Sequence, residues 1–388
     1  MISIRRQLMG LGFAAASSLV AMQAAHAMNG PQAITIDGGP LGQLELSGGA
    51  DGYGYYINNA YPGAKDHGAY MGSGLVELQK TTGVLQYTIE LGSTSGAFAL
   101  GTQPSQATLS TYRTGPLVQG YITIAPPNSP VTVSAGHLAS LEGYEATVSW
   151  YNPTQFTTAL WYVQNSYSTG VEAALTEGPV SATVLFGDGN DTGVWNYGQA
   201  LLSYTIDSNN VANLYGAMNF GRTGANAFYY GGGTVGSGNA LVNNQMIGAY
   251  YSWTGGDLFQ KGDSLNVVPE IQYVYAKTDH LAGIDKSTSN FGAAVFGDYS
   301  FANTPYSLGG WIEYENSQGA YSWFIGPDSE AIGAAAAPTW QYKDLFARAN
   351  VGLLYLLNNK QFSQGGSFGN NGTNKLQFTG TLQAGVLF

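Results

Sequence analysis

A hydrophobic pattern of period two runs through nearly the whole chain. From Lys375 to Phe388 the even positions are Leu376, Phe378, Gly380, Leu382, Ala384, Val386 and Phe388, while the odd ones begin Gln377, Thr379, Thr381 and Gln383. Successive side chains of an extended segment point to opposite faces, so one face here is apolar and the other polar. The same dyad recurs in Leu85, Tyr87, Ile89 and Leu91 against Gln86, Thr88 and Glu90. It recurs again in Ala349, Val351, Leu353 and Tyr355 against Arg348, Asn350 and Gly352, and in Val267, Ile271, Tyr273 and Tyr275 against Asn266, Glu270 and Gln272. Such a chain folds as strands. Frequent glycine and the lack of a sustained 3.6-residue period predict no helix beyond the first 27 residues.

A soluble sandwich also alternates, but its outward face carries charge. Here only 10% of residues are charged, the polar face is mostly Gln, Asn, Ser and Thr, and the apolar face is laced with aromatics. That composition suits lipid outside and water inside. Hydrocarbon leaves no place for unpaired backbone N–H and C=O groups, so such a sheet must close on itself. The 27 tyrosines are expected in girdles at the two interfaces. No segment after the N-terminus approaches 18 consecutive apolar residues, which excludes a bundle of membrane helices. The chain has no cysteine, so thiol catalysis, Cys-ligated zinc and disulfides are excluded.

Residues 1–27 read as a cleaved secretory signal, with Arg5 and Arg6, an apolar stretch from Leu8 to Met22, and Ala25-His26-Ala27 as the processing site. Without Arg5 and Arg6, 11 of the 13 basic residues stand against 24 acidic ones, which argues against a nucleic-acid partner. Residues 28–43 are expected as a periplasmic lead-in to one domain, 28–388. Tight turns at Thr81 to Gly83, Pro126 to Pro130, Thr176 to Pro179, Asp207 to Asn210, Ala302 to Pro305 and Tyr342 to Asp344 alternate with long polar or glycine-rich stretches. Short turns on one side and long loops on the other is how an outer-membrane barrel is strung. Strands are expected to begin near Leu44, Ala69, Val84, Leu117, Val131, Tyr167, Val180, Trp195, Val211, Met246, Leu265, Asn290, Tyr306, Ala331, Leu345 and Lys375, an even set of 16. The fold class is thus all-β: a closed antiparallel transmembrane barrel with short periplasmic turns and long extracellular loops.

The dyad places Glu77, Glu90, Glu172, Glu270, Glu313, Glu315 and Arg348 on the lumen side as pore-lining residues. A carboxylate-rich lining favours cations, unless those groups pair with Arg113, Arg222 or loop lysines. Trp311 shares the parity of Glu313 and is a candidate platform for a sugar. The stretch Leu138 to Ser166 carries Glu142, Glu145, Trp150, Tyr151, Trp161 and Tyr162. It is either a constriction loop folded inward or an extracellular loop packed on its neighbours. Asp188 to Gly193 imitates the start of a calcium loop, but its twelfth position is Gln199, and a glycine-asparagine loop tip explains it better. Gly231, Gly233 and Gly236 spell a nucleotide motif without the strand-to-helix context it needs. No cofactor, metal or catalytic constellation is read.

The segment Ser134-Ala-Gly-His-Leu-Ala-Ser-Leu-Glu-Gly-Tyr-Glu145, followed by Asn152 and by Ser168-Thr-Gly-Val171, resembles the OmpL-like β-barrel porin family. Asp51-Gly-Tyr-Gly-Tyr-Tyr56 and Pro338-Thr-Trp-Gln-Tyr-Lys-Asp-Leu345 are also similar to that family. One departure is His137, where the family often has a basic residue beside the first glycine. The final Leu387-Phe388 is similar to the C-terminal signal read by the outer-membrane assembly machinery. The resemblance implies a bacterial outer-membrane channel for small hydrophilic solutes, with lipid as its other partner and with no catalytic residues. A homo-oligomer is compatible with these features. Two rival functions are a plugged structural or adhesive barrel and a lipid-acting barrel enzyme using His137 with Ser134 or Ser140.

Overall fold

The structure is a computed structural model that describes residues 28, 30, 33–95, 97–107, 114–224, 237–319, 328–359 and 367–388. The signal segment 1–27, Arg113, Gly231, Gly233 and Gly236 lie outside these residues. The first long strands are β1 (Gln43–Asn58), β2 (His67–Lys80), β3 (Leu85–Thr94), β4 (Leu117–Ile124) and β5 (Val131–Ala139). They are followed by β6 (Tyr167–Glu177), β7 (Val180–Asp188), β8 (Trp195–Asp207), β9 (Asn210–Asn219), β10 (Gln245–Gly256) and β11 (Ser264–Ala276). The last are β12 (Thr288–Ser300), β13 (Tyr306–Gly319), β14 (Ser329–Tyr342), β15 (Leu345–Asn359) and β16 (Leu376–Leu387). All 16 begin within two residues of the positions expected from the dyad.

Each strand pairs antiparallel with the one before it, and β16 returns to β1 from Phe378 opposite Asn58 to Leu387 opposite Gly49. The seam ends with Gly48 and Phe388 exchanging both backbone hydrogen bonds, at 2.8 and 2.9 Å. No edge of the barrel is left, as an apolar surround requires. A lead-in strand, Ile34–Asp37, doubles back onto the start of β1.

The inversion is plain in β16. Leu376, Leu382 and Val386 are 45%, 72% and 37% exposed, whereas Gln377, Thr379, Thr381 and Gln383 are no more than 4% exposed. Exposed aromatics mark both rims of the apolar band: Tyr56, Trp195, Phe220 and Tyr355 on the long-loop side, and Tyr204, Phe259, Tyr306 and Tyr342 on the short-turn side. Tyrosine does more than form girdles, however. Tyr53, Tyr55, Tyr197, Tyr215 and Tyr250 are buried inside the barrel, where each phenol supplies an apolar ring and Tyr53 and Tyr197 also donate to Ser105 and Glu142 of the loop segments.

The absence of helix needs a small correction. One-turn helices form at Ala159–Tyr162 and Ser237–Leu241, both within long loops. Neither breaks a strand, and each is too short for a helical period to show in the sequence.

Leu382 stands near the middle of β16 and is the most exposed large hydrophobic residue of that strand. Leu382→Arg is expected to cost about 2–4 kcal/mol of folding free energy, as for a cation at the bilayer midplane. Urea titration of refolding into phospholipid vesicles measures this, and an unchanged midpoint would contradict a lipid-facing β16.

Candidate functional site

Between β5 and β6 the chain turns into the barrel and crosses it. Its entry is fixed by Gln199 on β8, whose Oε1 accepts from the Ser140 hydroxyl and the Leu141 N–H, both at 2.9 Å. On β11, Asn266 donates its amide to the Tyr144 hydroxyl at 3.1 Å, and Gln272 accepts from Gln164 at 2.7 Å. On β13, Glu313 accepts the Ala159 N–H at 2.7 Å, and Trp311 donates its indole N–H to the Phe156 carbonyl at 2.8 Å. On β15, Asn350 accepts the Gln155 N–H at 2.9 Å. Arg348 donates Nη1 to the Asn152 carbonyl at 3.0 Å and Nη2 to the Ser149 carbonyl at 2.9 Å. Most of these polar side chains meet backbone groups of an irregular segment that has no ladder partner in the barrel wall.

Glu142, Gly143, Glu145 and Asn152, quoted for the resemblance, build this crossing. Gly143 has a φ of +72°, and a Cβ there would lie 2.1 Å from the Gln164 amide; only glycine fits. Asn152 bonds both ways to Ala146, accepting its N–H and donating to its carbonyl at 2.7 Å each, which closes a small loop. Glu145 accepts from the Thr158 N–H and hydroxyl ahead of the helix Ala159–Tyr162. Glu142 accepts the Asn165 N–H at 2.7 Å and the Tyr197 hydroxyl at 2.9 Å. Burial pushes the Glu142 carboxyl up to about 7, against the opposing pull of these two bonds.

A second segment enters beside the first, and the sequence reading missed it. Phe98–Ala99 pairs in parallel with Phe156–Thr157, and Leu100 packs with Phe156 over Gly352 of β15. The signal was available in Ala97-Phe98-Ala99-Leu100, an apolar run inside a stretch otherwise read as an exposed loop. Phe98 and Leu100 join Leu141, Leu160, Val163, Leu201, Phe296 and Leu354 in one buried cluster. Apolar packing between the two segments and the wall fills part of the lumen, and this holds them there.

An open space lies on the other side, against β2, β3 and β4. It is a cavity of about 150 Å³ lined by Glu77, Glu90 and Gln119 from the wall and by Glu142, Glu145, Tyr151 and Trp161 from the crossing segment. Glu77 and Glu90 are register partners directly across two strands. No Lys, Arg or His lines this cavity among the described residues.

The remaining site residues stand as follows. Glu172 is buried opposite Ser134 on β5. Glu270 accepts from the Tyr215 hydroxyl at 2.7 Å, and Glu315 accepts from the Asn290 amide. Trp150 is buried with Leu75, Phe346 and Leu387, whereas Tyr162 is 44% exposed. Trp311, the candidate sugar platform, lies buried beneath the crossing segment with its N–H committed there. Arg222 pairs with Asp279 at 2.7 Å on the long-loop rim and not with a lumen carboxylate. Asp188 accepts the N–H groups of Thr169 and Gly193, which makes it a loop brace. His137 Nδ1 meets the Val118 carbonyl at 2.8 Å, the Ser134 hydroxyl pairs with Thr123, and the Ser140 hydroxyl goes to Gln199. Among the described residues, the bonds given for Ser134 and Ser140 go to Thr123 and Gln199 and not to His137.

Among curated proteins, none matches this sequence. Solved structures show the same fold. The outer-membrane protein OmpT of Vibrio cholerae is 12% identical, with 89% of this chain and 98% of that one covered at a TM-score of 0.55. The anion-selective porin of Comamonas acidovorans is 10% identical, with 89% and 99% covered at 0.59. The outer-membrane channel DcaP of Acinetobacter baumannii is 11% identical, with 89% and 97% covered at 0.55. The family model described as "Putative beta-barrel porin-2, OmpL-like" matches residues 43–388, so the chain belongs to the OmpL-like β-barrel porins and is a passive channel of the outer membrane.

Proposed function

We propose that the passage runs between the 138–166 segment and the wall of β2 to β4, and that it admits small hydrophilic solutes with a preference for cations. The observation that carries this reading is Glu77 facing Glu90 across neighbouring strands, with Glu142 and Glu145 on the opposite side. Carboxyl groups gathered on both sides of the opening favour a passing cation over an anion. In this reading the segment acts as the constriction, Tyr151 and Trp161 give it an aromatic edge, and Arg348, Glu313 and Asn350 hold it in place. No reaction is catalysed, since selection rests on diameter and field alone. Residues 1–27 act as the export signal, and the β16 terminus at Phe388 is read by the assembly machinery. Self-association is best supported on the outward face of β15, β16 and β1, where Ala347, Ala384 and Gly52 border a wide external groove.

The plugged-barrel alternative predicts electrical silence, so stable ohmic steps in planar bilayers are the first test. Under a KCl gradient the reversal potential is expected to have the sign of cation preference. Glu77→Gln together with Glu90→Gln is expected to lower the cation-to-anion permeability ratio by roughly twofold or more. A reversal potential of zero in the unmodified protein would remove the cation reading while leaving the channel.

The Glu142 carboxyl is neutral below about 7 and ionised above it. Cation preference is therefore expected to strengthen as pH rises through that value, read as reversal potentials on either side of it. Stability moves the other way. The folded protein holds a proton that the unfolded chain has released between the ordinary value of 4.5 and about 7. Rising pH across that window thus lowers the denaturation midpoint, and Glu142→Gln is expected to flatten the change.

Arg348→Ala strips donors from the carbonyls of Ser149 and Asn152, at about 1–3 kcal/mol for each buried group left unpaired. Larger, noisier single-channel steps are expected from a barrel that still assembles, as judged by heat-modifiable gel mobility. Steps indistinguishable from those of the unmodified protein would show that Arg348 does not hold the segment.

A further inference from the structure

On the long-loop rim, above the ends of β9, β10 and β11, lies a cavity of about 280 Å³ bordered by Phe220, Arg222, Asn243, Gln245, Lys277 and the Asp279 carboxylate. It faces outward. Met218, Gln245 and Tyr275 are register partners across the three strands. Lys277 continues the outward parity of Ile271, Tyr273 and Tyr275. Phe220 is 67% exposed and packs against the outward Phe186, with ring centroids 6.1 Å apart. The cavity therefore sits at the aromatic level of the rim, where lipid headgroups begin.

Its chemistry is that of an anion site. Arg222 uses Nε on Asp279, and neither Nη1 nor Nη2 has a partner among the described residues. The Asp279 carboxylate is already committed, with Oδ2 to Arg222 and Oδ1 to the N–H groups of Leu281 and Ala282 at 3.1 and 3.3 Å. Lys277 and the Gln245 amide make no ion pair or hydrogen bond among the described residues. Asn243 holds the floor rigid through Thr223 and Asn239. With Lys286 nearby in sequence, three of the 11 basic residues that follow residue 27 fall in this one sector of an otherwise acidic chain.

We propose that this rim cavity binds the phosphate of an anionic lipid headgroup in the outer leaflet. Arg222 and Lys277 supply charge-assisted donors and Gln245 a neutral one, while acyl chains run down over Met218, Ile247 and Tyr273. The two cations set the preference for phosphate, and the wall below sets the preference for lipid over a soluble anion. The proposal is independent of what passes through the lumen.

The test is native mass spectrometry of the intact barrel in neutral detergent, offered dioleoyl phosphatidic acid or dioleoyl phosphatidylcholine. Phosphatidic acid is expected to be retained preferentially. Lys277→Gln is expected to reduce that retention by about fivefold, the effect of one cation near a charged lipid surface. Asp279→Asn removes the competing carboxylate and is expected to hold or raise retention. Heat-modifiable mobility confirms that each variant is folded. Equal retention of the two lipids, or retention unaffected by Lys277→Gln, would overturn the site. Inorganic phosphate distinguishes the sources: lipid that stays bound in its presence supports a headgroup site, and lipid displaced by equimolar phosphate would overturn the lipid assignment.

Discussion

Backbone hydrogen bonding in hydrocarbon is the constraint from which the rest of this molecule follows. An amide group facing lipid has no water to turn to, so every strand needs a partner on both sides and the last must meet the first. The pairing of β16 with β1 meets that demand. Once the sheet is closed, the outside must be oily and the inside must accommodate polar side chains, which is why Leu382 faces out and Thr381 faces in.

Closure also creates a problem that the interior solves. A cylinder of 16 strands encloses more space than its own side chains fill. The chain uses two loop segments to occupy part of it. They are held by apolar packing around Phe156, Leu160 and Leu100 and by wall groups such as Arg348, Asn350 and Glu313 that pair with exposed backbone. The filling is lopsided, so what stays open lies against β2 to β4, where the carboxylates of Glu77 and Glu90 face each other. The packing that stabilises one side of the lumen defines the opening on the other.

Strand positions were legible because lipid outside and water inside impose alternation on each residue separately, and each can be read without knowing its neighbours in space. Loop behaviour was only half legible. The crossing of 138–166 could be suspected from its length and its aromatic and acidic content, but the choice between inside and outside depends on partners such as Gln199, Asn350 and Trp311, which lie far away in sequence. The roles of inward Tyr197 and Tyr215 were hidden for a related reason: a phenol reads the same at a membrane interface and against a buried carboxylate. Phe98 and Leu100 were passed over because a short apolar run in a loop has no period to mark it.

The joint between Gly48 and Phe388 has a consequence for biogenesis. The first strand cannot find its final neighbour until β16 is present, so no portion lacking β16 can close into the finished cylinder. Closure of the cylinder is therefore a single late event.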